Sequence, residues 1–154
     1  MAILKAAEAV EWALEIETNG EAFYRATAAQ QADPGIKALF EDLAVQEQRH
    51  YQTYGRMLGL TSSRDLPDFD HDEYQAYLQA ALSSALFGGP DKGLALARQA
   101  HNQETALRAA LGFEKDTLLF FYDLREMVSE GDRATVSAII SEEKAHVRRL
   151  AAML

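Results

Sequence analysis

Four long stretches of this chain carry apolar residues at helical spacing, and each interrupts its own apolar row with a glutamate. In the first, Glu17 falls among Val10, Ala13, Leu14, Ile16 and Phe23. In the second, Glu47 and His50 lie between Leu43 and Tyr54. In the third, Glu114 lies between Leu111 and Phe121, and in the fourth Glu143 and His146 lie between Ile140 and Leu150. A residue seven positions along a helix returns to within about 20° of the same face. These polar groups therefore point where their apolar neighbours point, into a core. A chain of this kind has to fold around an inward polar layer.

The punctuation supports four long helices. The first spans about Leu4 to Gln31; Asp33-Pro34 then supplies a cap and first-turn proline for the second, and Gly59 a stop. Thr61-Ser62-Ser63 through Pro67-Asp68 reads as loop, and Asp72 to Phe87 as a short helix closed by Gly88-Gly89-Pro90. Asp91 to Ala100 is a second short helix or a run-in to the third long one, Gln103 to Ser129. Gly131-Asp132 reads as turn and N-cap, so the fourth begins at Arg133. Strand signals are almost absent. Short links join helices one to two and three to four, making antiparallel hairpins, whereas the link between hairpins is long. The expectation is an all-α four-helix bundle of two antiparallel hairpins joined by a long crossover with short helices, one domain over residues 1–154.

Charge and cysteine content narrow the function. The net charge of −9 disfavours nucleic acid and anionic membrane surfaces, which need clustered Lys and Arg. With no cysteine, disulfides, thiolate chemistry and Cys-ligated iron–sulfur centres are excluded. The N-terminal segment, with Glu8, Glu11 and Glu15, lacks a signal-peptide pattern, and no apolar run reaches the ~18 residues of a membrane span. The expected compartment is the cytoplasm.

The interrupting residues form a repeat. Glu17 precedes Glu47 by 30 positions and Glu114 precedes Glu143 by 29; Phe23-Tyr24 and Phe120-Phe121 follow the first glutamate of each pair at six and seven. Each half reads glutamate, two aromatics, then Glu-x-x-His on the next helix. Glu and His at i and i+3 share a helix face. Chance would place Glu three residues before two of the four histidines roughly 4% of the time, given the helical spacing. Four carboxylates facing one core repel one another and lose hydration unless cations neutralise them, and two divalent ions balance four carboxylates. The expected metal ligands are Glu17, Glu47, His50, Glu114, Glu143 and His146. Mixed carboxylate–imidazole ligation suits iron, manganese or zinc, and this arrangement is the di-iron carboxylate pattern.

With those residues in view, the chain resembles the rubrerythrin and bacterioferritin branch of the ferritin-like superfamily. The likeness rests on Ala13-Leu-Glu-Ile-Glu17 with Phe23-Tyr24, Leu43 to His50, Gly112-Phe-Glu114 with Phe120-Phe-Tyr122, and Glu142-Glu143-Lys-Ala-His146. It implies Glu17 and Glu114 as terminal carboxylates, Glu47 and Glu143 as bridges, His50 and His146 as terminal nitrogen ligands, and iron as the metal. It implies reaction of reduced iron with dioxygen or hydrogen peroxide. Thr117 stands where rubrerythrins carry an extra glutamate, which separates the chain from their iron-shifting peroxidase chemistry and brings the ligand set closer to the bacterioferritin type. Lacking cysteine, it would need a separate electron donor.

Other residues carry plainer readings. Tyr24 is the best candidate for a hydrogen-bonding or redox group beside the metals; Tyr54 and Tyr122 read as core aromatics. His101 reads as surface, His71 as part of a solvated Asp-rich loop, and Trp12 as packing or a dimer contact. Glu15 and Glu142 flank the ligands but point about 100° or more away. The alternatives left open are an Fe(II)-oxidising oxidoreductase, a non-catalytic iron binding, delivery or storage protein with the same site, and a helical interaction protein. A homodimer is the expected assembly.

Overall fold

The four long helices are where the apolar rows place them. The computed structural model describes residues 2–60, 64–82 and 91–154. In it β1 is Ile3–Lys5, α1 Ala6–Gln30, α2 Pro34–Leu60, β2 Asp65–Asp70, α3 His71–Ala81, α4 Asp91–Arg98, α5 Gln103–Met127 and α6 Glu130–Ala152. Helices α1 and α2 form one antiparallel hairpin and α5 and α6 the other, with α3 and α4 in the crossover. No described helix is long and apolar enough to cross a membrane. The expected stretch 83–90, including Gly88-Gly89-Pro90, lies outside the described residues.

Caps set the helix starts. Asp33 Oδ1 accepts from the Ile36 amide at 3.0 Å, satisfying an orphan donor at the start of α2. Asn102 Oδ1 accepts from the Thr105 amide at 2.9 Å and starts α5. The expected start of the last helix needs correction. The Asp132 and Arg133 amides donate to the Ser129 carbonyl at 3.0 and 3.2 Å, so the chain is already helical at Glu130 and Ser129 is the N-cap. Gly131-Asp132 is a first turn, not a preceding loop, and Glu130 and Asp132 there face the positive end of the helix dipole.

The strands are also a correction. β1 and β2 pair antiparallel with Leu4 opposite Leu66, both buried. The pair is invisible to periodicity because one strand has three residues and the other carries Pro67 and three aspartates; only the contact between them defines it. His71 likewise opens α3, where Asp70 caps the Asp72 and Glu73 amides at 3.1 and 3.0 Å, and its ring lies 5.5 Å from that of Trp12. Trp12 packs on Tyr74 and Phe120.

Two apolar clusters fill the bundle, one at each end. One contains Ala13, Ile16, Tyr54, Phe121, Val136 and Ile140; the other contains Phe23, Tyr24, Phe40, Leu43, Leu107 and Leu150. Along α1, α2 and α6 the chain passes from one cluster to the other through its interrupting glutamate; on α5, Phe113 just before Glu114 already belongs to the first cluster.

The crossover is fastened to α1 at one glycine. The Gly93 amide donates to Asn19 Oδ1 at 2.9 Å, and a Cβ at position 93 would sit 2.2 Å from the Asn19 carbonyl oxygen. Alanine is better than glycine in a helix by about 1 kcal/mol, but here it meets backbone that cannot rotate aside. Gly93→Ala should therefore lower stability by about 1–3 kcal/mol, read as a reduced midpoint in urea unfolding; an unchanged or higher midpoint would show that α4 is not held this closely.

Candidate metal centre

Between the two apolar clusters lies a layer made of the six predicted residues. Glu17 comes from α1, Glu47 and His50 from α2, Glu114 from α5, and Glu143 and His146 from α6; all six are buried, none more than 2% exposed. Their ligand atoms form two groups, Glu17–Glu47–His50–Glu143 and Glu47–Glu114–Glu143–His146, with the atoms of each group within 4.8 Å of one another. Glu47 and Glu143 belong to both. The imidazoles of His50 and His146 lie nearly parallel, centroids 5.8 Å apart and planes at 18°.

The layer has too few donors for its oxygens. Both oxygens of Glu17, both of Glu47 and Oε2 of Glu114 are buried without a hydrogen bond. His50 Nδ1 comes within 3.0 Å of Glu143 Oε1 but only 3.6 Å of Glu17, and His146 Nδ1 lies 2.8 Å from Glu143 and 3.5 Å from Glu47. Orphaned buried carboxylate oxygens are rare because each loses its hydration with nothing in return. Converging unpaired oxygens with two ring nitrogens are the donor set that a pair of cations would satisfy.

The same shortage shifts the titrations. Burial pushes Glu17, Glu47 and Glu114 above the ordinary carboxylate range, and repulsion from Glu143 adds to it. Burial alone would raise Glu143 too, but hydrogen bonds and charge from His146 and His50 hold it low. Burial pulls both imidazoles down, and the carboxylates outweigh it: Glu17 and Glu143 drive His50 up, while Glu114, Glu143 and Glu47 push His146 to about 12.

Around the six stand residues that spacing alone did not assign. Tyr24 donates to Glu114 Oε1 at 2.5 Å, so its hydroxyl stands beside the six. Glu142 points away from the layer, as expected, yet its Oε2 lies 2.6 Å from His50 Nε2; Gln46 Oε1 lies 2.7 Å from His146 Nε2. The outer face of His50 thus meets a cleft of about 440 Å³ lined by Gln46, Arg49, His50, Thr53, Ile139 and Glu142. A signal was present: Gln46 and Glu142 occupy the same place in the repeat, immediately before Glu47 and Glu143. Gly20, one turn after Glu17, leaves the space that Glu47 uses, since a Cβ there would lie 2.7 Å from Glu47 Oε2. Thr117 is buried with an unpaired hydroxyl. Tyr122 is half-buried under Arg125 and Lys144 and not in the core where it was expected, whereas His101 is exposed as expected.

The fold and its buried carboxylate–imidazole layer are those of the ferritin-like di-iron carboxylate class. A crystal structure described as a ferritin-like diiron-carboxylate protein from Thermotoga maritima superposes with a TM-score of 0.75 at 26% identity, over 99% of this chain and 96% of that one. The Rubrerythrin family model matches residues 3–83, more than half of the chain, and the protein belongs to that family. No curated protein matches the sequence.

Removing one unpaired carboxylate relieves the metal-free layer. Glu47→Gln keeps the shape and deletes a charge repelled by Glu143 and Glu17. In chelator-treated protein it should raise stability by about 1–3 kcal/mol, seen as a higher Tm; a lower Tm would mean that the carboxylate is already compensated.

Proposed function

We propose that Glu17, Glu47, His50, Glu114, Glu143 and His146 hold two metal ions, iron in the cell, and that the protein oxidises Fe(II) with dioxygen or hydrogen peroxide. The observation that carries this reading is the shared pair: two donor groups that both contain Glu47 and Glu143. In it Glu17 and His50 would complete one position and Glu114 and His146 the other, with Glu47 and Glu143 common to both. Iron, when bound there, supplies the electrons that reduce the oxidant; manganese and zinc fit the same donors.

The chain's own part is to fix charge and exclude water. The apolar clusters seal both ends of the layer, so the carboxylates act at low dielectric, where their charge is felt most strongly. Tyr24 holds Glu114 by its hydroxyl and keeps one carboxylate oxygen oriented. The 154 residues contain no cysteine, so electrons for turnover come from a separate donor. Cytoplasmic residence and a homodimeric assembly complete the proposal.

Rapid mixing of anaerobic, Fe(II)-loaded protein with dioxygen or peroxide tests it. The expected result is oxidation of two irons per chain faster than free Fe(II), lost in Glu143→Ala. Two bound irons that oxidise no faster than free Fe(II) would leave binding, delivery or storage as the function and refute catalysis.

Loading should also release protons. Ligands bind as carboxylate and neutral Nδ1, whereas His146, pushed to about 12, retains its proton near neutral pH without metal, and burial raises Glu17, Glu47 and Glu114 in the same sense. Metal therefore displaces protons, and apparent affinity rises with pH and falls on acidification. Titration with Fe(II) in weak buffer should acidify the solution; no pH change would refute protonated ligands.

A further inference from the structure

The two halves of the site repeat in sequence but differ in what surrounds their ligands. Glu142 is a carboxylate and can only accept, so His50 keeps a proton on Nε2, and Nδ1, which faces Glu143, is the nitrogen that would bind a metal. Gln46 does the same for His146 with a neutral amide. Its Nε2 donates to Asp42 at 2.8 Å, and Arg149 holds Asp42 at 2.7 Å, so the amide oxygen is the atom left to face His146 Nε2 at 2.7 Å. A carboxylate partner makes an imidazole the stronger donor. The terminal carboxylates differ as well. Tyr24 donates to Glu114 at 2.5 Å and draws charge from it. The residue in the matching place of the other half is Phe121, which has no hydroxyl, and Glu17 keeps both oxygens free of hydrogen bonds. Tyr54 carries the nearby hydroxyl, and it too makes no hydrogen bond.

Both differences act in the same direction. We propose that the two metal positions are unequal: Glu17–His50 is the tight position, filled first, and Glu114–His146 the weaker, exchangeable one, with Glu142 and Tyr24 as the positioning residues that set the order. The inference rests on the two-metal reading above and adds which position leads. Glu142 is half exposed, with 56% of its side chain open to solvent, so water screens part of its charge. The expected difference is therefore near tenfold, the low end of the 10–100-fold range for such outer partners.

Co(II) is a suitable probe because its absorption reports each binding step. Repulsion between two ions would separate the steps even for equal positions, so location decides. Anomalous scattering from crystals holding one Co(II) per chain should place it beside Glu17 and His50. Glu142→Gln should weaken the first step by about tenfold and leave the second nearly unchanged, whereas Tyr24→Phe should tighten only the second. An ion shared between the positions, one placed at Glu114–His146, or a Glu142→Gln effect equal on both steps would overturn the inference while leaving a two-metal site intact. Absence of Co(II) and Fe(II) uptake would overturn the two-metal reading and this inference with it.

Discussion

The interaction on which the rest of the structure depends is the mutual repulsion of four carboxylates sealed in one layer of a helical bundle. Glu17, Glu47, Glu114 and Glu143 are fully buried, and the two imidazoles beside them are too few to give every oxygen a donor. Two apolar clusters of aromatic and aliphatic side chains close the layer at both ends and hold it together against that repulsion. Such a layer is costly for a purely structural protein, since apolar residues of similar size would be more stable. The arrangement makes physical sense as a receptacle for positive charge.

The bundle geometry converts a linear repeat into a shared site. Each hairpin supplies one terminal glutamate and one Glu-x-x-His, and packing the hairpins face to face brings Glu47 and Glu143 into both donor groups. The small residues one turn beyond the terminal glutamates matter here. Gly20 leaves room for the Glu47 carboxylate, and Thr117 occupies the matching place on α5 without reaching a partner. The long crossover stays outside this symmetry. It packs α4 on α1 through Gly93, threads β2 against the N-terminal strand, and donates the Tyr74 hydroxyl of α3 to Asp123 on α5, so that the two hairpins are tied from one side.

Much of the site was legible because helical periodicity and burial act on each residue separately. A glutamate in register with Ala13 and Tyr24, or with Ile140 and Leu150, must face the same way they do, whatever the neighbouring helix is. The same logic misplaced what depends on pairing. The β1–β2 ribbon has no periodic signal of its own, and His71 looked like loop until Asp70 was seen to cap α3. Ser129 took the capping role from Asp132 because the local backbone could begin its helix earlier than the glycine suggested.

The sequence by itself determined the four helices, the hairpin layout and the six inward polar residues, because spacing along a helix decides which face a side chain occupies. Only the tertiary structure decided which carboxylates are shared, which nitrogen of each histidine faces inward, and that Gln46 and Glu142 clasp the histidines of the opposite helix. Those are relations between helices, and they depend on distances that one helix's periodicity does not contain. Glu142 shows the division most clearly: the sequence placed it correctly off the ligand face, and packing α6 against α2 made it the partner of His50.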